Sequence, residues 1–180
     1  MADEEKRAGA AGVSAQRREE VRAVIERVAG WAATREDVAG VLLVGSWARG
    51  AARADSDVDL VVLTTGPGRC TAEDGLVREL ALGELIRNRA WGPVTEWRYV
   101  TASGLEVEVG IGSLDWARTD PVDAGTRRVV TDGARPLHDP QGVLEALIQV
   151  CGRSGQVSSV PASLPKSWSG SGGGAARSRP

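Results

Sequence analysis

Two aspartates on alternate residues, Asp57 and Asp59, are the part of the sequence best suited to chemistry. They begin an apolar run through Leu63, which predicts a strand buried on both faces. Side chains two residues apart on a strand share a face, with Cα atoms roughly 6.6 Å apart, so both carboxylates point the same way. Carboxylates at that spacing can flank a pair of divalent cations about 3.5 to 4 Å apart, an arrangement suited to phosphoryl chemistry.

A glycine-bounded turn, residues 45–50, precedes these aspartates, and an apolar run at 41–44 predicts a buried strand before it. Gly45 lets the backbone bend and approach a ligand closely. Ser46 is suited to cap a short helix through about Ala52. Amide groups at a helix start favour phosphate oxygens, and the Ser46 hydroxyl can join them. The turn and the aspartates together predict a site for phosphate and metal.

The spacing of this stretch excludes two other ligand loops. A Walker A loop has the glycine interval of Gly45 and Gly50, but it continues with Lys and then Ser or Thr, whereas two alanines follow here. An EF-hand loop starting at Asp55 needs glycine at its sixth position and glutamate at its twelfth, where this sequence has leucine and glycine. A purely structural interpretation makes Asp59 a surface carboxylate in a solvated turn. The paired carboxylates at the start of an apolar strand argue against it.

The Gly-Ser motif at 45–46, the Arg-Gly pair at 49–50 and the Asp-x-Asp motif at 57–59 resemble the signature of the DNA polymerase β-like nucleotidyltransferases, particularly their minimal members. Both main motifs occur in the right order and at the right separation. The resemblance covers residues 38–63 by motif and 14–151 by element order. It implies an α+β fold with a mixed β-sheet and helices packed mainly on one face.

The resemblance also implies an activity, in which a nucleoside monophosphate, AMP from ATP as the first expectation, passes to an acceptor hydroxyl and pyrophosphate is released. In this family the serine turn binds the nucleoside triphosphate, here Gly45 and Ser46, with Arg49 as a candidate for charge neutralisation unless it only pairs with Asp55. The two aspartates hold Mg²⁺, two ions in all, together with a third carboxylate from a later strand.

A predicted β-hairpin offers two candidates for the third carboxylate. Its strands are alternating runs at 94–100 and 105–111. Glu106 and Glu108 share one face of the second strand. We prefer Glu108 as catalytic residue and metal ligand, because it lies nearer the strand centre and the glycine two residues later leaves room for a ligand. Glu106 would then be a supporting or surface residue paired with Arg98.

Other patterns predict the elements that support these motifs. Ser14 can cap a helix whose apolar residues recur at helical spacing to about Ala32. A second helix is predicted from Leu76 to about Arg89, ended by a Trp-Gly-Pro sequence. Further along, the patterns predict loop and turn structure at 114–117 and 120–125, short edge structure at 127–130 and 135–137, and a final helix at 143–150.

The length of 180 residues is that of one domain with a real core. We predict a flexible start at 1–13, a nucleotidyltransferase domain at 14–151 and a disordered Ser/Gly/Pro-rich tail at 152–180. Two cysteines and one histidine provide neither a disulfide framework nor a zinc cluster. Because no leader pattern and no apolar run near 18 residues is present, we expect a cytoplasmic protein without a membrane partner.

The sequence leaves the acceptor open between a protein and an aminoglycoside-type small molecule. A net charge of −2 and a pI near 5.5 give no general basic surface, so nucleic acid is the less favoured partner. From a different class, the chain would be a catalytically silent nucleotide-binding regulator or an antitoxin-like partner protein. Two repelling carboxylates held together favour catalysis, since a silent regulator has no physical need for them.

Overall fold

A six-stranded sheet with helices on both faces forms the centre of the molecule. The structure is a computed structural model that describes residues 12–67, 79–91 and 93–154. Its helices are α1 (Ala15–Ala33), α2 (Gly45–Ala48), α3 (Ala124–Thr131) and α4 (Val143–Ser154), with a 3₁₀ helix at Leu114–Ala117. Its strands are β1 (Val38–Val44), β2 (Val58–Thr64), β3 (Glu84–Trp91), β4 (Val94–Val100), β5 (Glu106–Gly112) and β6 (Ala134–His138).

The sheet is mixed, with the strand order β3-β4-β5-β2-β1-β6. The pair β2 and β5 is parallel, and the other four neighbouring pairs are antiparallel. This arrangement confirms the predicted α+β class with a mixed sheet. The parallel pair matters most for chemistry, because it places Asp59 of β2 directly beside Glu108 of β5.

The strands β1 and β2 are buried on both faces over nearly their whole length, as their continuous apolar runs predict. Every residue of β1 is buried, and alternate residues enter opposite hydrophobic clusters. Because both faces are apolar, both need cover, and the helices are shared between the faces more evenly than the resemblance implies. The first cluster joins α1 to one face through Val21, Val24, Val28, Val41, Leu43 and Leu60, and the second joins α3 and α4 to the other through Leu42, Val44, Val61, Val130, Leu144 and Leu147.

Several predicted elements are confirmed. The hydroxyl of Ser14 accepts a hydrogen bond from the amide of Arg17 at 3.1 Å and caps α1, as expected. The predicted hairpin is the antiparallel pair β4 and β5, and the predicted final helix is α4. Residues 135–137 lie in β6 at one edge of the sheet, which agrees with the predicted edge structure.

The predicted helix from Leu76 to about Arg89 is wrong over its second half. Residues 84–91 form β3, antiparallel to β4, while 68–78 lie outside the described residues. Gly83 explains the change, because its φ of +113° suits glycine and an added Cβ would lie 2.1 Å from the carbonyl oxygen of Val100. The chain therefore turns against β4 at this glycine, and pairing with β4 outweighs the helical spacing of the apolar residues.

A second correction concerns the segment after the 3₁₀ helix. Residues 127–130, predicted as edge structure, and 124–125, predicted as turn, lie in α3. Asp123 caps this helix by accepting a hydrogen bond from the amide of Thr126 at 3.0 Å. Thr126 and Val130, four residues apart, are both buried on the face that α3 turns to the sheet. The capped, amphipathic pattern overrides the strand preference of the two adjacent valines.

Residues 1–11 and 155–180, which hold most of the predicted flexible start and tail, lie outside the described residues. The helix α4 continues to Ser154, three residues beyond the predicted end of the domain. Among the helices at 12–67, 79–91 and 93–154, none combines the length and apolar character needed to cross a membrane.

Candidate active site

Three carboxylates meet where β2 begins beside β5. Asp57 directly precedes β2, Asp59 is its second residue, and Glu108 lies opposite Asp59 in the parallel register. One oxygen from each carboxylate can be chosen so that the three atoms lie within 4.8 Å of one another. We call these three residues the carboxylate triad. Hard oxygen ligands at this spacing fit a divalent cation such as Mg²⁺.

The structure brings Glu108, and not Glu106, to the two aspartates. Glu106 lies two residues nearer the start of β5, where its carboxylate accepts a hydrogen bond from Nη1 of Arg98 at 2.5 Å, the expected pairing. The space beside Glu108 differs from the expectation. A Cβ added to Gly110 would lie 2.9 Å from Cγ1 of Val94, so the small glycine accommodates a neighbouring side chain there.

Gly45 forms the other side of the triad. It follows Val44, which pairs with Asp59 across β1 and β2, so the turn lies against that aspartate. The φ of Gly45 is +71°, and an added Cβ would lie 2.8 Å from Oδ2 of Asp59. The amide of Gly45 donates to the carbonyl oxygen of Gly133 at 3.0 Å, which ties the turn to the start of β6. Only glycine satisfies both the backbone conformation and the close approach.

The prediction that Ser46 caps a short helix is wrong. Val44 is the N-cap of α2 and makes no side-chain capping bond, and α2 ends at Ala48 instead of near residue 52. The helix begins two residues earlier than predicted, because the carbonyl of Gly45 already accepts a hydrogen bond from the amide of Arg49, at 3.2 Å. Ser46 is instead the second residue of α2, and first-turn amides of a helix have no acceptor within the helix.

Arg49 connects the turn to the end of α3. Its Nη1 donates to Oδ2 of Asp132 at 2.7 Å and to the carbonyl oxygen of the same residue at 2.9 Å. The expected alternative partner, Asp55, instead pairs with Arg53 at 3.6 Å. Arg49 therefore lies beside the triad as a positive charge with a partner on the opposite wall.

A cleft of about 510 Å³ opens between the triad and α3. Gly45, Asp59 and Glu108 line one side of it. Its volume lies within the range of roughly 300 to 1,000 Å³ that is usual for small-molecule sites. The other lining residues include three apolar and two polar side chains from the sheet, the 3₁₀ helix and α3: Val94, Trp116, Val129, Thr126 and Arg128.

The wall formed by α3 was missed in the sequence, which predicted turn and edge structure there. The available signal was the pair Asp123 and Thr126, which has the spacing of an N-cap and its bonded amide. Backbone hydrogen bonds, that of Thr126 first, hold the pKa of the Asp123 carboxyl below its usual value. The cleft thus has a helical wall that local propensity alone did not reveal.

A second, smaller cleft of about 360 Å³ lies on the side of Asp57. Arg17, Ser56, Arg98 and Glu106 also line it. Its outer wall is held together by α1 and the β4–β5 turn, because Arg17 donates to the hydroxyl of Ser103 at 3.3 Å. The triad is therefore shared between two clefts, with Asp59 and Glu108 on the first and Asp57 on the second.

Within the described part of the chain, two arginines contact the triad. Arg98 on β4 pairs with Glu108 in the sheet register, and its Nη2 contacts Glu108 and lies 3.6 Å from Oδ2 of Asp57. Arg87 on β3 lies 2.5 Å from Glu96 and 3.4 Å from Glu108. Arg87 was missed because its segment was predicted as helix. For Arg98, the predicted hairpin placed it near Glu106, but the sequence did not indicate that β5 lies beside β2 and its aspartates.

The carboxyl of Asp59 lies in an environment that disfavours its charge. Burial, and after it the charge of Asp57, raises the pKa of its carboxyl from 3.8 to about 6. Arg98 opposes the increase, Glu96 adds to it, and Arg49 opposes it. A divalent cation at the triad would supply the compensating charge that the two arginines provide only in part.

The raised pKa of Asp59 predicts a pH-dependent stability. The folded state binds this proton more tightly than the unfolded state, so stability falls as pH rises through the raised pKa. The contribution of Asp59 to the free energy of unfolding should fall by about 1.4 kcal/mol between pH 5 and 7.5. Denaturant unfolding of chelator-treated wild type and Asp59→Asn, compared at both pH values, measures it. Equal pH dependence in the two proteins would contradict the assignment.

Gly45 and Gly50 provide a matched test of the close approach to Asp59. Both have φ of +71°, but a Cβ on Gly50 would meet nothing within 4 Å. Each change to Ala should cost about 1 to 2 kcal/mol of stability from the backbone conformation. Only Gly45→Ala should also displace Asp59 and weaken Mg²⁺ binding, by about tenfold or more. Calorimetry of Mg²⁺ binding to both variants checks this, and equal affinities would show that the contact is unimportant.

The family model described as "Nucleotidyltransferase domain" matches residues 25–115, just over half of the chain. The matched segment includes Gly45, Ser46 and all three members of the triad. The protein therefore belongs to the nucleotidyltransferase domain family, which confirms the resemblance seen in its motifs. No match was found among curated proteins.

Solved structures with similarity to this chain include a terminal U-transferase, Cid1 and the polymerase core of TRAMP. A cytoplasmic RNA terminal U-transferase aligns at 18% identity over 56% of this chain and 30% of its own, with a TM-score of 0.42. Cid1 in complex with the UTP analogue UMPNPP aligns at 20% identity over 56% and 32%, with a TM-score of 0.41. The polymerase core of TRAMP, an RNA surveillance complex, aligns at 21% identity over 76% and 41%, with a TM-score of 0.43. The aligned part of this chain spans about a third of the first two proteins.

Proposed function

We propose that this protein transfers a nucleoside monophosphate, AMP from ATP in the first instance, to an acceptor hydroxyl and releases pyrophosphate. The observation that carries the proposal is the carboxylate triad at the mouth of a cleft of about 510 Å³ in a member of the nucleotidyltransferase domain family. Asp57, Asp59 and Glu108 would hold two Mg²⁺ ions. When bound, these ions supply positive charge to the attacking and leaving oxygens.

The cleft beside Gly45 is the proposed nucleotide site. Its triphosphate would lie along the turn, where the Ser46 hydroxyl and first-turn amides of α2 donate to the β- and γ-phosphates. The Gly45 amide is not part of this set, since it donates to Gly133. Arg49 would neutralise phosphate charge from the side of Asp132. The apolar surface of Val94 and Val129 supports a place for the base in the same cleft.

The reaction is an in-line displacement at the α-phosphorus. The acceptor oxygen forms the new bond to phosphorus, and the bond from the α-phosphorus to its bridging oxygen breaks, so pyrophosphate leaves with the electron pair. The proton of the acceptor hydroxyl passes to a carboxylate of the triad. The protein contributes mainly position and charge, because such transfers ask little covalent chemistry of it.

The second cleft supports a place for the acceptor. It meets the triad at Asp57, on the side away from Gly45, so a hydroxyl there would approach the metal site without crossing the nucleotide. The lining by Arg17, Ser56 and Glu106 favours a polar acceptor. Its volume of about 360 Å³ admits a small molecule or a single side chain, which includes both acceptor classes left open by the sequence.

Pyrophosphate release tests the proposal. Purified protein is incubated with Mg²⁺, each of the four nucleoside triphosphates, and cell lysate cleared of its own nucleotides. We expect metal-dependent release above the lysate background, largest with ATP. A chelator and the Asp57→Asn/Asp59→Asn protein are the controls. Saturable binding of nucleotide without pyrophosphate release for any of the four would support a silent regulator instead.

A further inference from the structure

Arg98 places a positive charge where the metal ligands converge. Its guanidinium contacts Glu108 and lies 3.6 Å from Asp57, two of the three carboxylates proposed as ligands. A third contact, at 2.5 Å, joins it to Glu106, which lies outside the triad. The Arg98 side chain is 23% exposed, so its charge acts in a partly desolvated place. One arginine thus connects the metal ligands to a carboxylate that is not one of them.

We infer that Arg98 is an internal cation that competes with Mg²⁺ for the triad, and that Glu106 holds Arg98 when the metal binds. The inference rests on the proposed metal-dependent function. Metal bound by Asp57 and Glu108 would repel the guanidinium, which shares both ligands with it. Glu106 is already in hydrogen-bond contact with the other terminal nitrogen, so Arg98 can retain this partner while it leaves the triad.

The register of the sheet supports this transfer between partners. Arg98 lies opposite Glu108, and Glu106 is two residues along the same strand, on the same face. If the guanidinium leaves Glu108 and keeps Glu106 as its partner, the flexible side chain of Arg98 rotates and the backbone does not change. Glu108 lines the first cleft and Glu106 lines the second. The same rotation would therefore move the guanidinium away from the triad.

Arg87 provides a matched control for charge alone. It also contacts Glu108, at 3.4 Å, but its nearer partner is Glu96, and among the described residues it forms no ion pair with either aspartate of the triad. Its side chain is 46% exposed, twice as exposed as that of Arg98. Removing Arg87 therefore removes a nearby positive charge without removing a group that shares two metal ligands.

Metal affinity in the absence of nucleotide tests the inference independently of transfer. Calorimetric titration of chelator-treated protein with Mg²⁺, and with Mn²⁺ as a second probe, is carried out on wild type, Arg98→Gln, Arg87→Gln and Glu106→Gln. We expect Arg98→Gln to bind metal about tenfold more tightly and Arg87→Gln less than threefold. We expect Glu106→Gln to bind about threefold more weakly, because Arg98 then has only the triad to pair with.

The double variant Arg98→Gln/Glu106→Gln separates competition from simple electrostatics. If Glu106 acts through Arg98, the double variant should bind metal as tightly as Arg98→Gln alone. If each charge acts on the metal by itself, the two effects should add, and the inference would be overturned. Unchanged or weaker affinity in Arg98→Gln, with the fold verified by circular dichroism, would also overturn it. Pyrophosphate release that persists in wild type would leave the proposed function standing in either case.

Discussion

Replacement of Asp59 by Asn should lower the rate of nucleotidyl transfer by about a thousandfold or more at saturating nucleotide. Asp59 is a partly buried member of the triad, with a pKa raised to about 6 by burial and by the charge of Asp57. Removal of its charge deprives the proposed metal ions of the ligand that lies between Gly45 and Glu108. Initial rates of label transfer from an α-labelled nucleotide, measured at several Mg²⁺ concentrations, would quantify the loss.

The stability of the same variant separates lost catalysis from lost folding. Because the buried Asp59 carboxylate is costly to ionise, Asp59→Asn should be more stable than wild type by about 2 to 3 kcal/mol at pH 7 without metal. Asp115→Asn is a suitable control, since that exposed aspartate pairs only locally with Arg118 and lies outside the triad. Transfer within a few fold of wild type in Asp59→Asn would refute the role of this carboxylate.

The second large effect distinguishes the two glutamates of β5. Glu108→Gln should reduce transfer by about a hundredfold or more, because Glu108 completes the triad beside Asp59. Glu106→Gln should retain transfer within about threefold once Mg²⁺ and the acceptor are both saturating, because Glu106 contacts the triad through Arg98 and otherwise lines only the second cleft. Both changes remove one charge from the same face of the same strand, so they form a matched pair.

Rates of the two variants across a Mg²⁺ titration provide the measurement. For Glu108→Gln the loss should persist at the highest metal concentration, whereas for Glu106→Gln added Mg²⁺ should restore the rate. Equal losses in the two variants, or a larger loss in Glu106→Gln, would show that Glu108 is not the third carboxylate.

The parts of the fold that follow from local pattern could be predicted from the sequence. The continuous apolar runs of β1 and β2 indicate strands buried on both faces, and the alternation in β4 and β5 indicates a hairpin. The shared face of Asp57 and Asp59 follows from the period of a strand alone. The choice of Glu108 over Glu106 agrees with the arrangement of the strands, although the reason given from Gly110 does not, because Val94 fills that space.

The parts that depend on contacts between distant segments could not be predicted in this way. The segment of β3 has helical spacing in its apolar residues, and only its pairing with β4 makes it a strand. Arg87 reaches the triad through that pairing, and Arg98 reaches Asp57 because β5 lies parallel to β2. The same holds for the partner of Arg49, because Asp132 is brought near by the packing of α3.

The position of the label in the transferred group distinguishes nucleotidyl transfer from transfer of the terminal phosphate. Wild-type protein with Mg²⁺ and lysate is given ATP labelled at the α-phosphorus in one reaction and at the γ-phosphorus in a parallel one. Nucleotidyl transfer predicts a labelled acceptor from α-labelled ATP only, with the γ-label recovered in pyrophosphate, and no labelled acceptor with Asp57→Asn/Asp59→Asn protein. Label on the acceptor from γ-labelled ATP, or from neither substrate, would contradict the account.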